Sequence, residues 1–466
     1  MKIKLIAPHE QREDTISSAK TFKIQKVNLP LLAALTPPGH TVKIVDEAFA
    51  ADDITEEVDL VGISVMTDLA LRAYQIADTY RQRGVKVVMG GIHPTILPGE
   101  ALQHADAVVI GEAEEVWPKL LSDVASREIQ KLYCANKISD LSQIPIPRQD
   151  LYPKGGHKGY TPLAFGIETA RGCPYDCEFC SIGFVMGRQY RPRPIPDVIR
   201  EMESIDFPNL FFVDDALALN RSTAKKLFTE MIPFRKKWAG QGPVSLAEDR
   251  ELLELMRRSG CVGLLIGFES VQKETHDGIK KIRNLKIDFS EAVRRFHGQG
   301  IALLGAFIFG FDHENKDVFD QTLEFSIKNR LDCMELRILT PYPGTRLYSR
   351  LLKEDRLFVP NWWLHGYPPD TLLFQPKGMT GEELIEGFNR LNRQAYSFGS
   401  IMKRFFGMSP RKRTVMGCLV YAGANLATRK RYLKGLDIPQ PFRGFQIREQ
   451  PKKRRLYNAN AFISFR

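Results

Sequence analysis

Over residues 2–110, short apolar runs alternate with stretches whose apolar positions recur at helical spacing. The runs predict strands at Lys2–Ala7, Thr41–Asp46, Leu60–Val65, Lys86–Met89 and Ala107–Ile110. Between them Leu69–Arg83 predicts a helix, with Leu69, Ala73, Ile76 and Tyr80 on one face. Strands alternating with helices predict βαβ units and a parallel sheet, whose ligands sit beyond the carboxyl ends of the strands. Ser139–Gly156 carries Pro145, Pro147 and Pro153 with no period and reads as a linker.

From Pro162 the alternation resumes. Strands are predicted at Leu163–Thr169, Leu210–Val213, Val244–Ala247, Val262–Phe268, Ala302–Phe309 and Met334–Leu339, with helices such as Asp249–Arg258 and Phe289–Gln299 between them. Six such units in roughly 190 residues suit a partial or complete β/α barrel, open at the strands' carboxyl ends. Beyond Pro360 the strand pattern stops, and Gly381–Phe398 reads as an amphipathic helix. The expected organisation is an α/β chain: a Rossmann-like domain at 1–138, a linker at 139–160, a barrel at 161–360 and a smaller, mostly helical basic region at 361–466.

Composition narrows the class. A chain of 466 residues exceeds one hydrophobic core, and 43% hydrophobic with 26% charged residues suits a globular protein. Seven cysteines, three of them clustered, argue against a disulfide framework and for a reducing, cytoplasmic setting. The apolar run Ile3–Ala7 is too short for a secretory signal. Ile301–Phe311 is too short to span a bilayer, which takes about 20 residues. The net charge of +11 is uneven: Arg411 to Arg455 holds 13 Lys/Arg against Asp437 and Glu449. Such an end suits an anionic surface or a solvated tail.

The most specific signal is Thr169-Ala-Arg-Gly-Cys173-Pro-Tyr-Asp-Cys177-Glu-Phe-Cys180. Three thiolates on one loop can hold three irons of a cubane cluster and leave the fourth open. Structural zinc normally takes four ligands, and no His or Cys follows soon after Cys180. Cys261, Cys333 and Cys418 lie in or beside apolar runs and read as small hydrophobes.

Cys-x3-Cys-x2-Cys with Phe179 before the last cysteine resembles the radical S-adenosylmethionine (SAM) signature. The resemblance implies a [4Fe–4S] cluster on Cys173, Cys177 and Cys180, SAM chelated to the open iron, and a 5′-deoxyadenosyl radical from its reductive cleavage. It also implies a reductant such as flavodoxin or ferredoxin. Phe211-Phe-Val-Asp214-Asp215, Gly267-Phe-Glu269-Ser270, Gly305-Ala-Phe-Ile-Phe-Gly310 and Thr340-Pro-Tyr-Pro-Gly344-Thr stand in the family's order at strand ends. By resemblance, Asp214, Asp215, Glu269, Ser270 and Gly310 contact SAM.

Val61-Gly-Ile-Ser64-Val-Met-Thr67 and Val87-Val-Met-Gly90-Gly91 resemble the cobalamin-binding Rossmann-like domain, which implies that Ser64, Thr67, Gly90 and Gly91 line the nucleotide tail. The cobalt-ligating Asp-x-His-x-x-Gly motif is absent: His9 follows the first strand with no Gly three residues later. His93, in Gly90-Gly-Ile-His93-Pro, reads as a hydrogen-bonding structural residue.

The resemblance runs from about Lys2 to Phe406, and Trp362-Trp363, Phe374–Thr380 and Glu382-Glu383-Leu384 look like the hopanoid methylase-like branch. It implies a cobalamin-dependent methyltransferase acting on an unactivated carbon of a hydrophobic small-molecule or lipid substrate. Two alternatives stay open. One is a radical SAM enzyme without working cobalamin, performing carbon–carbon coupling, cyclisation or rearrangement. The other is a non-catalytic cobalamin or redox sensor. The apolar run Val415–Ala424, followed by Arg429-Lys430-Arg431, suits a soluble enzyme resting on an anionic membrane. No nucleic-acid partner is expected.

Overall fold

The computed structural model describes residues 1–9, 24–138, 140–152, 164–279, 287–367, 370–406 and 415–434. Six parallel strands form the first sheet: β1 (Lys2–Ala7), β2 (Thr41–Asp46), β3 (Leu60–Ser64), β4 (Lys86–Gly90), β5 (Ala107–Ile110) and β6 (Leu132–Cys134), in the order β2-β1-β3-β4-β5-β6. Runs of Val, Ile and Leu are buried on both faces, as a sheet covered by helices requires. One face packs Ile6, Val61 and Ile63 against the helix Ala70–Gln82, and the other packs Leu5, Leu60 and Val109 against Leu29, Trp117 and Leu120. The five predicted strands fall within a residue of their expected bounds. The sixth was not expected, because only Tyr133 of its three residues is buried.

The described part of the expected linker is docked. Leu141 and Ile144 pack on Leu31 and Ile138 of the first domain, and the buried Tyr152 hydroxyl hydrogen-bonds Asp46.

The second sheet is parallel and open, in the order β7-β10-β11-β12-β13-β14. Its strands, with the short hairpin β8/β9 between the first two, are β7 (Phe165–Ile167), β8 (Ala170–Arg171), β9 (Arg191–Pro192), β10 (Asn209–Phe212), β11 (Lys237–Gly242), β12 (Cys261–Glu269), β13 (Ala302–Phe309) and β14 (Cys333–Ile338). Among the described residues β7 and β14 lie at opposite ends of this ladder and do not pair, which makes the barrel partial; beside β7, Ala164 bridges Ile24. One expectation is corrected. Val244–Ala247 is not a strand but a 3-10 turn, and the strand is Lys237–Gly242 just before it. Pro243 cannot continue the ladder, and Ala239-Gly-Gln-Gly242 has little intrinsic strand preference.

Alternate positions on the late strands differ sharply. Leu303, Phe307, Phe309, Met334, Leu336 and Ile338 are buried under the surrounding helices, whereas Leu304, Ala306, Ile308, Glu335 and Arg337 are half-open. The inward face of the barrel is therefore a hollow rather than a filled core.

The C-terminal region binds both units together. Trp362, Trp363 and Leu373 belong to the core of the first domain, while Leu372, Phe374 and the helix Gly381–Ala395 pack on the barrel. The predicted helix to Phe398 stops at Ala395, where the Tyr396 hydroxyl turns inward to the Met334 backbone, and a new helix runs Phe398–Phe406. A last helix, Val415–Lys434, lies along β14: Asn425 donates to the Asp332 carbonyl at 2.9 Å and accepts from Arg404 at 3.1 Å. Among the described residues no helix is long and apolar enough to cross a membrane.

Candidate active site

All three cysteines lie on the loop joining β8 to β9, whose base pairs Arg171 with Arg191. Gly172 opens the loop at φ +81, and a Cβ there would stand 2.2 Å from the Gln189 carbonyl, so no other residue fits. The Cys173 amide donates to Gly187 at 3.2 Å and the Cys180 amide to Cys177 at 3.2 Å. The outer side is clamped by the helix Arg346–Lys353: Leu347 N donates to the Glu178 carbonyl at 2.9 Å and Arg350 pairs with the Glu178 carboxylate at 2.8 Å. Phe179 anchors the inner side against Phe311, ring centroids 5.6 Å apart.

Cys173 and Cys177 are half-buried, and Cys180 is reached by solvent although enclosed by surrounding atoms. That enclosure, with Cys173, Asp215 and Glu269 as its charged neighbours, pushes the Cys180 thiol up to about 11. Without metal the thiol keeps its proton, and binding a cationic iron cluster would release it. Three thiols on one glycine-hinged loop fit a [4Fe–4S] cluster with one iron left for another ligand.

The five expected SAM residues separate into two groups. Asp215 and Glu269 converge on Cys180, and burial together with Glu168 pushes the Asp215 carboxyl up to about 6. Glu269 adopts a left-handed backbone, φ +62, beside the register shift between Gly267 and Glu269. Asp214, by contrast, is fully buried and accepts from the amides of Thr169 at 2.6 Å and Ala170 at 3.3 Å. It fixes the turn from β7 into the cysteine hairpin, and burial pushes its carboxyl up to about 7.

Ser270 and Gly310 meet on a residue the sequence reading missed. Glu314 accepts from the Ser270 hydroxyl at 2.6 Å and from the amides of Gly310 at 2.8 Å and Phe311 at 3.2 Å. It joins the ends of β12 and β13, and burial pushes it up to about 7. The available signal was an acid four residues after Gly310, the strand-ending glycine at φ +106.

The first domain offers its strand ends to the same space. Gly91, φ +101, lies so close to β3 that a Cβ would stand 2.9 Å from the Val65 carbonyl and 3.3 Å from Ser64 Oγ. Ser64 accepts from Asn28 at 2.6 Å. The Thr67 hydroxyl lies 3.4 Å from His93 Nδ1, and Gly90 ends β4. His93 itself is buried, its Nε2 2.9 Å from the Tyr74 hydroxyl and 3.1 Å from Glu100. Ser64, Gly90 and Gly91 stay half-buried at these strand ends without a bulky side chain among them, so this edge fits the nucleotide tail of cobalamin.

Asp68, on the turn with Thr67, is open to solvent on one side, yet the surrounding protein atoms raise its carboxyl, and it feels Arg337, Lys26 and His9. Arg337 pairs with Glu335 at 2.6 Å and Asp370 at 3.4 Å. Burial and Asp68 push the nearby Tyr342 hydroxyl up to about 12. This charged cluster joins the first domain to the last barrel strand; Asp68, Arg337 and Asp370 carried no motif.

A nucleotide-type parallel sheet facing a hollow partial barrel, with a three-thiol hairpin at its mouth, defines a two-cofactor radical enzyme. Residues 19–121 match the B12 binding domain and residues 167–326 the radical SAM superfamily. The chain is 30% identical over 413 residues to the bacteriochlorophyllide d C-12(1)-methyltransferase of Chlorobaculum tepidum, covering 86% of this chain and 89% of that one. It is 26% identical over 352 residues to the hopanoid C-2 methylase of Rhodopseudomonas palustris, covering 71% and 64%. The fold matches the radical S-adenosylmethionine methyltransferase TsrM of Kitasatospora setae, solved with tryptophan substrate and a SAM analogue, at TM-score 0.65 and 17% identity over 94% of this chain and 95% of that one.

The chain belongs to the cobalamin-dependent radical SAM methyltransferases. Its cofactors are accordingly a [4Fe–4S] cluster, SAM and cobalamin.

Proposed function

We propose that the chain methylates an unactivated carbon of a hydrophobic, tetrapyrrole- or lipid-like substrate bound in the barrel hollow. The observation that carries this reading is the hollow itself. Leu265, Leu304, Ala306 and Ile308 give it a largely apolar, half-buried wall, Arg337 stands at a half-buried position of the next strand, and Glu269 ends β12 beside it. When bound, the cluster with SAM supplies a carbon-centred radical and cobalamin carries the methyl group.

On this reading Cys173, Cys177 and Cys180 hold the cluster, while Asp215 and Glu269 contact SAM. Asp214, Ser270 and Gly310 shape the strand ends around SAM, and Ser64, Thr67, Gly90 and Gly91 line the cobalamin tail. Arg337, with Glu335 and Asp370, orients a polar group of an otherwise apolar substrate.

The test is anaerobic reconstitution with iron, sulfide and hydroxocobalamin, a low-potential flavodoxin or ferredoxin, and SAM carrying a deuterated methyl group. A bacteriochlorophyllide or a hopanoid offered as substrate should acquire the deuterated methyl. Conversion of SAM to 5′-deoxyadenosine with an altered but unmethylated substrate would instead favour cyclisation or rearrangement.

The same reading includes collection of the substrate at an anionic membrane surface. Phe398, Met402 and Phe406 on one helix and Leu419, Val420 and Leu426 on the next are exposed, Phe398 at 62% and Phe406 at 68%. The two helices pack together through Tyr421, whose hydroxyl donates to the Ile401 carbonyl at 2.8 Å. Tyr432, on the second helix, donates to the Leu336 carbonyl of β14 at 3.4 Å, which brings this helix to the last barrel strand. Exposed apolar side chains flanked by cations suit an interfacial helix. Because Asn425 is hydrogen-bonded into the barrel, truncation after Phe406 would disturb folding. Leu419→Asp with Leu426→Asp is the cleaner test. The native chain should co-sediment with vesicles containing phosphatidylglycerol at low salt and the double variant should not; equal binding by both would remove the membrane surface from this reading.

A further inference from the structure

Arg171 and Arg191 face each other across the base of the hairpin that carries all three cysteines. Both guanidinium groups reach one carboxylate. Glu112 accepts from Arg171 at 3.2 Å and from Arg191 at 3.1 Å, with a second, shorter contact to Arg191 through its other oxygen. Glu112 comes from elsewhere in the chain, two residues beyond β5 of the cobalamin-binding domain and just after Gly111, which turns the backbone at φ +87. It also accepts from the Ile138 amide at 3.2 Å, just before the interdomain segment, while Arg191 donates to the Ile138 carbonyl.

The two arginines are not equally held. Arg171 also pairs with Glu114 at 2.6 Å and Glu168 at 2.8 Å, whereas among the described residues Glu112 is the carboxylate that pairs with Arg191. All three side chains of the Arg–Glu–Arg bridge are buried. Charges at such depth are retained only when mutually compensated, and a two-armed contact to planar guanidinium groups fixes orientation as well as distance. Placing that bridge between the metal-bearing hairpin and the other cofactor's domain does more than join two domains: Trp362 and Trp363 already do so by apolar burial.

We propose that Glu112 is a positioning residue that sets the cysteine hairpin, and hence the cluster, in register with the cobalamin-binding domain. The inference rests on the two-cofactor reading above. The hydrogen bonds of Glu112 run to Arg171, two positions before Cys173, to Arg191 and to the Ile138 amide, and it acts through the two arginines.

Two measurements on the full-length chain test it. The first uses metal-free protein and needs no cofactor. In Glu112→Gln, backbone amides of residues 172–190 should exchange with deuterium about tenfold faster or more, while β3, β4, β12 and β13 keep their protection. Unchanged exchange in the hairpin, or an equal rise throughout both sheets, overturns the proposal. The second uses protein reconstituted with iron, sulfide and hydroxocobalamin and then reduced, so that both metal centres are paramagnetic. Their dipolar coupling should report one narrow separation in the native chain and a broadened one in Glu112→Gln at unchanged iron and cobalt content. Arg191→Lys keeps the charge but loses the two-armed contact, and it should broaden the separation even if Glu112→Gln folds poorly. An unchanged separation in Arg191→Lys overturns the proposal. Absence of bound cobalt in the native chain would fail the two-cofactor reading instead, and the exchange measurement would still decide the role of Glu112.

Discussion

The indole nitrogen of Trp363 donates to the Glu100 carboxylate across 2.9 Å, joining the C-terminal region to the first domain. Glu100 in turn contacts His93 at 3.1 Å and the Tyr74 hydroxyl at 2.9 Å, and His93 lies against Thr67, just beyond the end of β3. Trp363→Phe keeps most of the apolar burial but leaves that carboxylate one donor short. The expected loss is about 1–3 kcal/mol of stability, read from urea unfolding, with weaker cobalamin uptake. Native stability in this variant would show that the hydrogen bond contributes nothing beyond ring packing.

Cys177→Ala should abolish both the brown chromophore and reductive SAM cleavage, because the loop has no spare thiol. Cys261→Ala should keep the cluster. It removes a buried thiol from the barrel core, at a cost of about 1 kcal/mol. Cys333→Ala loses a 3.4 Å contact with the Tyr396 hydroxyl and should likewise keep its iron. Native SAM turnover by Cys177→Ala would remove the cluster assignment.

The acids at the barrel mouth should behave differently from one another. Asp215→Asn and Glu269→Gln should weaken SAM binding several-fold at unchanged iron content, as titrated by equilibrium binding. Asp214→Asn should instead reduce iron loading, since Asp214 holds the Thr169 and Ala170 amides at the start of the cysteine hairpin. Equal effects from all three would contradict this division.

Glu314 gives a pH dependence with a defined sign. Its folded-state carboxyl stands near 7, above the ordinary value of about 4.3, so the native state binds its proton more tightly than the unfolded chain. Its contribution is complete at low pH and is lost as pH rises from about 4 to about 7, by an amount on the order of 3 kcal/mol. Glu314→Gln should therefore gain stability relative to the native chain between pH 5 and pH 8 (roughly the span of that loss). Parallel stability–pH curves for the two proteins would exclude a buried, titrating Glu314.

Much of this protein was decided locally. The five apolar runs of the first domain became β1 to β5, because a buried parallel strand needs little beyond a short Val/Ile/Leu-rich segment. Cys173, Cys177 and Cys180 were legible because their spacing alone puts three thiols on one loop. Strand ends carrying Ser64, Gly90 and Gly91 were legible for the same reason: residue type and local turn chemistry coincide.

Other features depended on the partner supplied by the rest of the chain. Lys237–Gly242 became a strand although Ala-Gly-Gln-Gly has no strand pattern, because β10 and β12 hold it from both sides. Asp214 and Asp215 are adjacent in sequence, yet one is enclosed by Thr169 and Ala170 while the other faces Cys180. Glu112, Asp68 and Arg337 carry no local signature at all, and Glu314 has only its place four residues after Gly310. Buried charge is tolerated only where distant segments bring compensating groups, as Arg171 and Arg191 do for Glu112, and that depends on chain topology rather than on local residue pattern.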